Sequence, residues 1–320
     1  MNEPYEVDVL IGCYNHSKYL RKCFDSILCQ KTSFPFRIII GDDCSTDNSQ
    51  EIIREYQRMH PDIIIAIYNE KNMGSTHNAL NLHNLSTAKY IAEVESDDYW
   101  IDERRLQKQY DFLETHHEYV AVGCNYYNVD PEGNNPYKGL LEWQVNKRYT
   151  LKHYLHLGFI VHGGTLMMRN IFPSHDEKYR KLRTCVPTMG DVVTRILLYD
   201  SGYIFCMSDV MHCHRMGSND KSSFFVQSKI DPIKYCYMYN TIVKSLNEYL
   251  DNKYNLFPLL SGRMGLVLFW KLMHINDFDR HEFKEYMNTL PWFIRLCSYF
   301  RALLQVWRST IHVVGRKMGF

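Results

Sequence analysis

The sequence has next to no net charge: 37 lysines and arginines stand against 36 aspartates and glutamates, a formal balance of +1 over 320 residues. Without a global field, no nucleic acid is drawn to the surface as a whole, and a polyanion must be met by local groups. A cysteine framework is also missing. Ten cysteines are scattered from Cys13 to Cys297 without a CxxC pair, which excludes a zinc ribbon or a small disulfide scaffold and reads as reduced thiols. No stretch approaches the roughly 18 uncharged apolar residues of a spanning helix. The opening Met1-Asn2-Glu3-Pro4-Tyr5-Glu6 is acidic and lacks the basic flank of a secretory leader, so a soluble, cytoplasmic protein is expected. A core is not missing: 45% hydrophobic and 23% charged residues are globular values, and the length allows one large domain with an appendage.

What is present is alternation. Val7–Cys13 is a short β-branched run that breaks into Tyr14-Asn15-His16-Ser17, a strand followed by a helix cap. Leu20, Phe24, Ile27 and Leu28 then share one helical face. Ile38-Ile39-Ile40 predicts a second strand, ended by Gly41-Asp42-Asp43-Cys44-Ser45-Thr46-Asp47. Asp47 with Gln50 three residues on predicts a capping box for a helix carrying Ile52, Ile53 and Tyr56. Ile63–Tyr68 is a third strand, Asn72-Met73-Gly74-Ser75 a turn into a helix, and Tyr90–Val94 a fourth strand that stops at Glu95-Ser96-Asp97-Asp98. Another helix is marked by Leu106, Tyr110 and Leu113, and another strand by Val120–Cys124. This spacing predicts an α/β fold, a mostly parallel central sheet with helices on both faces.

Ligands of such sheets bind outside the carboxyl ends of the strands. Tyr14-Asn15, Asp42-Asp43 and Glu95-Asp97-Asp98 all follow apolar strands directly, so these groups converge on one crevice. Gathered carboxylates repel one another unless a cation or hydrogen-bond donors compensate. A hard ion, Mg²⁺ or Mn²⁺, held by one or two carboxylates and by phosphate oxygens would do so. A further carboxylate can accept hydrogen bonds from ribose or a base, which makes the set a nucleoside-diphosphate site. Each cluster alone would equally serve as a loop or helix N-cap.

Val9–Asn15, Ser26–Gln30 and Ile38–Asp47 resemble the "YN … Q … DDxSxD" opening of family 2 glycosyltransferases, nucleotide-diphospho-sugar enzymes of the GT-A fold, bacterial cell-surface polysaccharide enzymes among them. Asn72-Met73-Gly74 with Asn78 is similar to the family's N-x-G turn, Glu95–Trp100 to its D-x-D-D metal motif, and Arg105-Leu106-Gln107-Lys108-Gln109 to its KLxxQ helix start. The resemblance runs from Val7 into the early 210s. It implies that Tyr14, Asn15, Asn72, Gly74, Asn78, Glu95 and Ser96 line the nucleotide-sugar pocket and that Asp43 or Asp42 meets the uracil or ribose. It further implies that Asp97 is the principal metal ligand, with Asp98 beside it. Glu95 departs from the family's usual aspartate by one methylene.

His162–Arg169 is expected to be a strand with a close approach at Gly163-Gly164. Asp191 stands at a helix start, where it would serve as an N-cap; the resemblance makes it the general base that takes the acceptor's proton. Met211–Ser218 resembles the family's YRxxxGS segment out of register; there His214 becomes a further metal ligand and Arg215 or Lys221 a pyrophosphate ligand. Zinc at His212, Cys213 and His214 is disfavoured, because neighbouring strand residues face opposite ways and no matching ligand pair is visible.

The expected domains are a catalytic one over 1–225 and a mainly helical extension over 226–320. In the extension, Trp292–Leu296 and Tyr299–Arg308 mix aromatics with arginines that no acid opposes. Such a helix either lies in an anionic membrane surface, which would suit a lipid-linked acceptor at the inner face of the plasma membrane, or packs its aromatics on the catalytic domain. The function expected is an inverting transfer from a nucleotide-diphosphate sugar, a UDP-sugar foremost, to a saccharide or lipid-linked acceptor. The alternative is a non-catalytic nucleotide-sugar-binding regulator. A phosphoryl-transfer enzyme is disfavoured because no GxxxxGK[ST] loop occurs.

Overall fold

The computed structural model describes residues 5–158, 161–172, 176–216, 232–272 and 280–303. The chain forms two compact units, Met1–Val226 and Gln227–Phe320. The first contains β1 (Val7–Cys13), α1 (Ser17–Leu28), β2 (Phe36–Asp42), α2 (Ser49–Met59), β3 (Ile64–Tyr68), α3 (Ser75–Leu85), β4 (Tyr90–Glu95), β5 (Tyr99–Trp100) and α4 (Arg105–Thr115). After these come β6 (Tyr119–Val129), β7 (Tyr137–Lys138), β8 (Lys147–Tyr149), α5 (Leu151–Leu157), β9 (Met167–Arg169), α6 (Glu177–Arg183), α7 (Gly190–Ser201) and β10 (Tyr203–Arg215).

The strands form one sheet in the order β3-β2-β1-β4-β9-β6-β10-β5, with β7 on β6 and β8 on β10. β3, β2, β1 and β4 run parallel, as do β6 and β10, while β9 lies antiparallel between β4 and β6. Side-chain alternation sorts β1 onto two faces. Val7, Val9, Ile11 and Cys13 enter a core with Leu20, Phe24, Ile53, Tyr56, Leu106 and Leu113 of α1, α2 and α4. On the other face Asp8 accepts from the Ser86 hydroxyl just after α3, and Gly12 lies under Asn78. Gly41 makes room there: a Cβ would lie 2.5 Å from Asn78 Oδ1, so the buried Asn78 would have to move.

Register is what builds the crevice. Gly12 is level with Gly41 on one side and with Glu95 on the other, so β1, β2 and β4 end together and release their polar loops at one sheet edge. Two of those loops are laced together. The first amides of α1 need partners in trans because His16 at its N-cap supplies none. Asn15 N–H donates to Ser45 Oγ (2.9 Å), His16 N–H to Ser49 Oγ (3.1 Å) and Ser17 N–H to Asp47 Oδ2 (2.9 Å). Asn15 Oδ1 accepts from Thr46 N–H in return.

Two local expectations are corrected. Asp47 and Gln50 do not form a capping box: α2 starts at Ser49, the Asp47 carboxylate bridges the amides of Ser17 and Ser49, and the Gln50 amide turns to Asp42. His162–Arg169 is not one strand. Gly163–Thr165 makes a 3₁₀ turn that leaves only Met167–Arg169 in the sheet, because Arg105 and Gln109 of α4 take the Gly164 and Thr165 carbonyls. None of the ten cysteines, all within the described residues, forms a disulfide.

The second unit is helical: α8 (Pro232–Tyr249), α9 (Phe257–Leu272), α10 (Arg280–Thr289), and residues 292–303. Its core gathers Cys236, Tyr239, Ile242 and Leu246 of α8, Met264 and Val267 of α9, and Phe283 and Tyr286 of α10. Asn240 donates to the Tyr286 hydroxyl at 2.7 Å. Among the described residues no helix is long and apolar enough to cross a membrane.

Candidate active site

The residues singled out by the two strand-end loops divide by what already holds them. Asp43 is buried and accepts from Asn69 Nδ2 (2.9 Å), Met73 N–H (2.7 Å) and Gly74 N–H (2.8 Å), so it pins the Asn72–Gly74 turn to the end of β2. Asn72 Oδ1 accepts from the same Gly74 amide, and Gly74 adopts φ 82°, where a side chain would be strained. Asp42 Oδ2 accepts from Ser45 N–H and Gln50 Nε2, while its buried Oδ1 has no partner among the described residues. Asn78 is buried, donates to the Gly41 carbonyl (2.8 Å) and accepts from Asn69. These residues shape the wall of the crevice. Tyr14 and Asn15 stand at its mouth, half-buried, with Asn15 at φ 56°.

The end of β4 supplies the acidic floor. Glu95 opens to solvent; even so, loss of water around it, then the charges of Asp97, Asp98 and Glu93, push its carboxyl up to about 8. Burial, then Asp98, likewise raises Asp97. Asp98 goes the other way. Burial opposes its charge, but His212 and His214 outweigh that and hold its carboxyl well below the usual range. Asp98 Oδ2 pairs with His212 Nε2 (3.0 Å) and His214 Nδ1 (3.2 Å), and Oδ1 accepts from Arg215 N–H (2.9 Å).

This geometry gives Asp98 an orienting position. With Nδ1 of His214 turned to Asp98, its Nε2 is left as the atom available to a ligand, the usual way a carboxylate prepares an imidazole for metal. Burial pushes His214 down, but Asp98, Asp97 and Glu95 together hold it above its ordinary value. Removing the charge from Asp98 is expected to be costly. Asp98→Asn should lose about 1–3 kcal/mol in chemical denaturation, the usual cost of leaving buried hydrogen-bond partners unsatisfied.

His16 and His162 were not singled out by the sequence, yet both reach the floor. His16 Nδ1 lies 2.7 Å from Ser96 Oγ, and its buried Nε2, without a hydrogen-bond partner, lies 4.0 Å from Asp97 Oδ2. His162 packs against His214 with ring centroids 4.4 Å apart and the planes tilted by 43°, and its buried Nδ1 has no hydrogen-bond partner among the described residues. Burial, then His214 and His212, keep it neutral well below its usual range. One ligand atom each from Asp98, His162 and His214 lies within 4.8 Å of the others, a carboxylate and two imidazoles that fit a divalent ion such as Mn²⁺. His162 is the third member of that group, and Asp97, expected from the sequence as the principal metal ligand, is not among the three.

Arg215 is braced by the protein. It donates from Nε to the Asp97 carbonyl and from a terminal nitrogen to the Pro131 carbonyl, between the rings of Tyr19 and Tyr99. Its geometry is that of a strut under the acidic loop, in place of a free phosphate clamp. Gly217, Ser218 and Lys221 lie outside the described residues.

Asp191 occupies the exposed first turn of α7, after Met189 at φ 67°. Gly190 lies so close to Thr76 at the start of α3 that a Cβ would stand 3.2 Å away, and a Cβ on Gly74 would stand 3.3 Å from the Pro187 carbonyl. The turn that Asp43 pins is thus also what the α7 N-terminus rests on. Gln30 and Gln109, further matches to the sequence motifs, are fasteners: Gln30 joins the end of α1 to the Leu106 amide and the Asp102 carbonyl, and Gln109 reaches Val122 and Thr165. A shallow depression beside α4, lined by Lys108, Phe112, Asn146 and Asp209, holds none of the acidic floor.

Glu95 gives the apo protein a signed pH dependence. A folded-state pKa above the unfolded 4.5 means that the folded chain keeps the extra proton, so this contribution to stability is full below about 4.5 and is lost as pH rises through about 8. In chelator, thermal melts of Glu95→Gln should decline less over that window than the wild type; parallel curves would refute the assignment.

The family model for glycosyl transferase family 2 matches residues 8–175. An uncharacterised protein of Mycobacterium tuberculosis is 37% identical over 105 residues, 33% of this chain and 30% of that one. The minor teichoic acid biosynthesis protein GgaA of Bacillus subtilis is 26% identical over 255 residues, 78% of this chain and 55% of that one. The chain thus spans well under two thirds of the length of these relatives. Among solved structures, S. aureus TarS 1–349 in complex with UDP-GlcNAc superposes with a TM-score of 0.62 at 16% identity, over 89% of this chain and 79% of that one. At that identity the likeness speaks for the fold, which is the GT-A arrangement expected from the sequence.

Proposed function

The chain belongs to glycosyl transferase family 2, and from that premise we propose that it transfers a sugar, with inversion, from a nucleotide-diphosphate donor to a saccharide or lipid-linked acceptor of a cell-surface polysaccharide. The observation that carries this reading is the shared register of Gly12, Gly41 and Glu95, which collects the polar loops of three strands around one acidic floor. UDP-GlcNAc in the complex of a similarly folded protein makes a UDP-sugar the first donor to try.

In this reading the wall formed by Tyr14, Asn15, Asp42 and the turn pinned by Asp43 receives base and ribose, and Glu95 and Ser96 flank the sugar phosphate. Asp97 and His214, oriented by Asp98 and joined by His162, would hold Mg²⁺ or Mn²⁺. Bound there, the ion offsets negative charge on the departing nucleoside diphosphate. The acceptor oxygen attacks the anomeric carbon from the face opposite the leaving group. As that bond forms, the bond to the diphosphate oxygen breaks and the electron pair leaves with the nucleotide. The acceptor's proton passes to the Asp191 carboxylate in the first turn of α7, where the helix dipole favours a negative charge. Arg215 keeps the Asp97 loop in place. We place the reaction in the cytoplasm, at the inner face of the plasma membrane if the acceptor carries a lipid.

A panel of nucleotide sugars, screened by thermal shift with Mn²⁺, identifies the donor, and NMR of the product gives the anomeric configuration. Retention would refute the single displacement. Binding of a donor without turnover on any acceptor would favour a regulator built on the same scaffold.

A further inference from the structure

We infer that the helix over residues 292–303 carries a docking face for an anionic lipid bilayer. Trp292, Phe293, Leu296, Tyr299, Phe300 and Leu303 are each between 46% and 70% exposed. Their spacing places them on one arc of the helix, so the solvent-facing side is the apolar one. The other side is already used. Ile294, Ser298 and Ala302 are buried, and the helix crosses α9 at glycines: a Cβ on Gly265 would stand 2.7 Å from Arg301 Cβ and 3.1 Å from the Ser298 carbonyl. The helix therefore cannot turn its aromatic arc inward without giving up that crossing. The aromatics remain outside the unit's own core.

An exposed contiguous arc of this kind marks an interaction site. Charge selects the occupant. From Tyr286 to Phe320 the sequence contains Arg295, Arg301, Arg308, Arg316 and Lys317 and no aspartate or glutamate; the last three lie outside the described residues. Arg295, partly exposed, flanks the arc, while Arg301 lies along the crossing with α9 over Gly262 and Gly265. A second copy seated on this face would set cations against cations. Anionic headgroups would instead complement them while the acyl boundary receives the tryptophan, phenylalanines and leucines, the arrangement of interfacial helices.

The inference rests on the proposed function only for its purpose, access to a lipid-linked acceptor, and its test contains no donor, so the two fail separately. The full chain is sedimented with vesicles of phosphatidylcholine alone and with phosphatidylglycerol added. Binding should need the anionic lipid and weaken with salt. In the triple variant Trp292→Gln, Leu296→Gln, Phe300→Gln, binding should fall by about 10-fold or more, with an unchanged melting temperature. No binding by the wild type, or equal binding by the variant, overturns the inference. So does a dimer in sedimentation velocity that the variant dissolves while vesicles are ignored, which would assign the face to a second copy.

Discussion

Asp191→Asn is expected to lower kcat by about 10²–10⁴-fold, the usual contribution of a positioned general base, with little change in donor affinity. The asparagine keeps the shape and can still accept a hydrogen bond at the first turn of α7, so the fold should be preserved; what it cannot do is take a proton. The loss should therefore appear in single-turnover transfer and not in calorimetric titration of the nucleotide. Near wild-type turnover would remove Asp191 from the mechanism. A loss confined to donor binding would instead make it a wall residue.

Asp97→Asn is expected to act on both affinity and rate. Without that carboxylate the metal-dependent part of donor binding should disappear, and turnover should fall by roughly 10²–10³-fold, the range for losing one preorganised charge-stabilising group. The same change should raise the melting temperature of the metal-free protein. Burial and Asp98 already push Asp97 upward, so its ionised form is disfavoured in the apo state, and removing it also relieves Glu95. Higher apo stability with lower activity is the signature of a group kept for function at a structural cost. A drop in apo stability would show that Asp97 is a structural anchor like Asp98.

Much of the fold was legible because strands and loops differ sharply in composition. β-branched runs stopping at Tyr14, Asp42 and Glu95 located the sheet edge, and the mirrored glycines Gly12 and Gly41 permitted the close approach of α3 through Asn78. What the sequence could not separate was which acid each protein donor claims. Asp42, Asp43, Asp97 and Asp98 look alike in paired form, yet Asp43 is bound to a turn about 30 residues on and Asp98 to histidines more than 100 residues away. Only tertiary contact shows that Asp98 is the acid taken by His212 and His214. His16 and His162 were missed for the same reason: His16 meets Ser96 across 80 residues, and His162 meets His214 after a 3₁₀ turn that the Gly-Gly pair had suggested was strand. A histidine directly after the Tyr-Asn pair was the one local signal available. The capping-box pattern at Asp47 failed because α1, lacking a cap of its own, competes for the same carboxylate.

Service of this acidic floor to a nucleotide-activated sugar is tested most directly by incubating the full chain with the donor that the thermal-shift screen selects, Mn²⁺ and a panel of saccharide and lipid-linked acceptors, and by measuring released nucleoside diphosphate together with labelled product. Stoichiometric release and product are expected in the wild type, lost on chelation and in Asp97→Asn. Release that survives both, or a donor bound by the wild type and never consumed on any acceptor, would contradict that role of the floor.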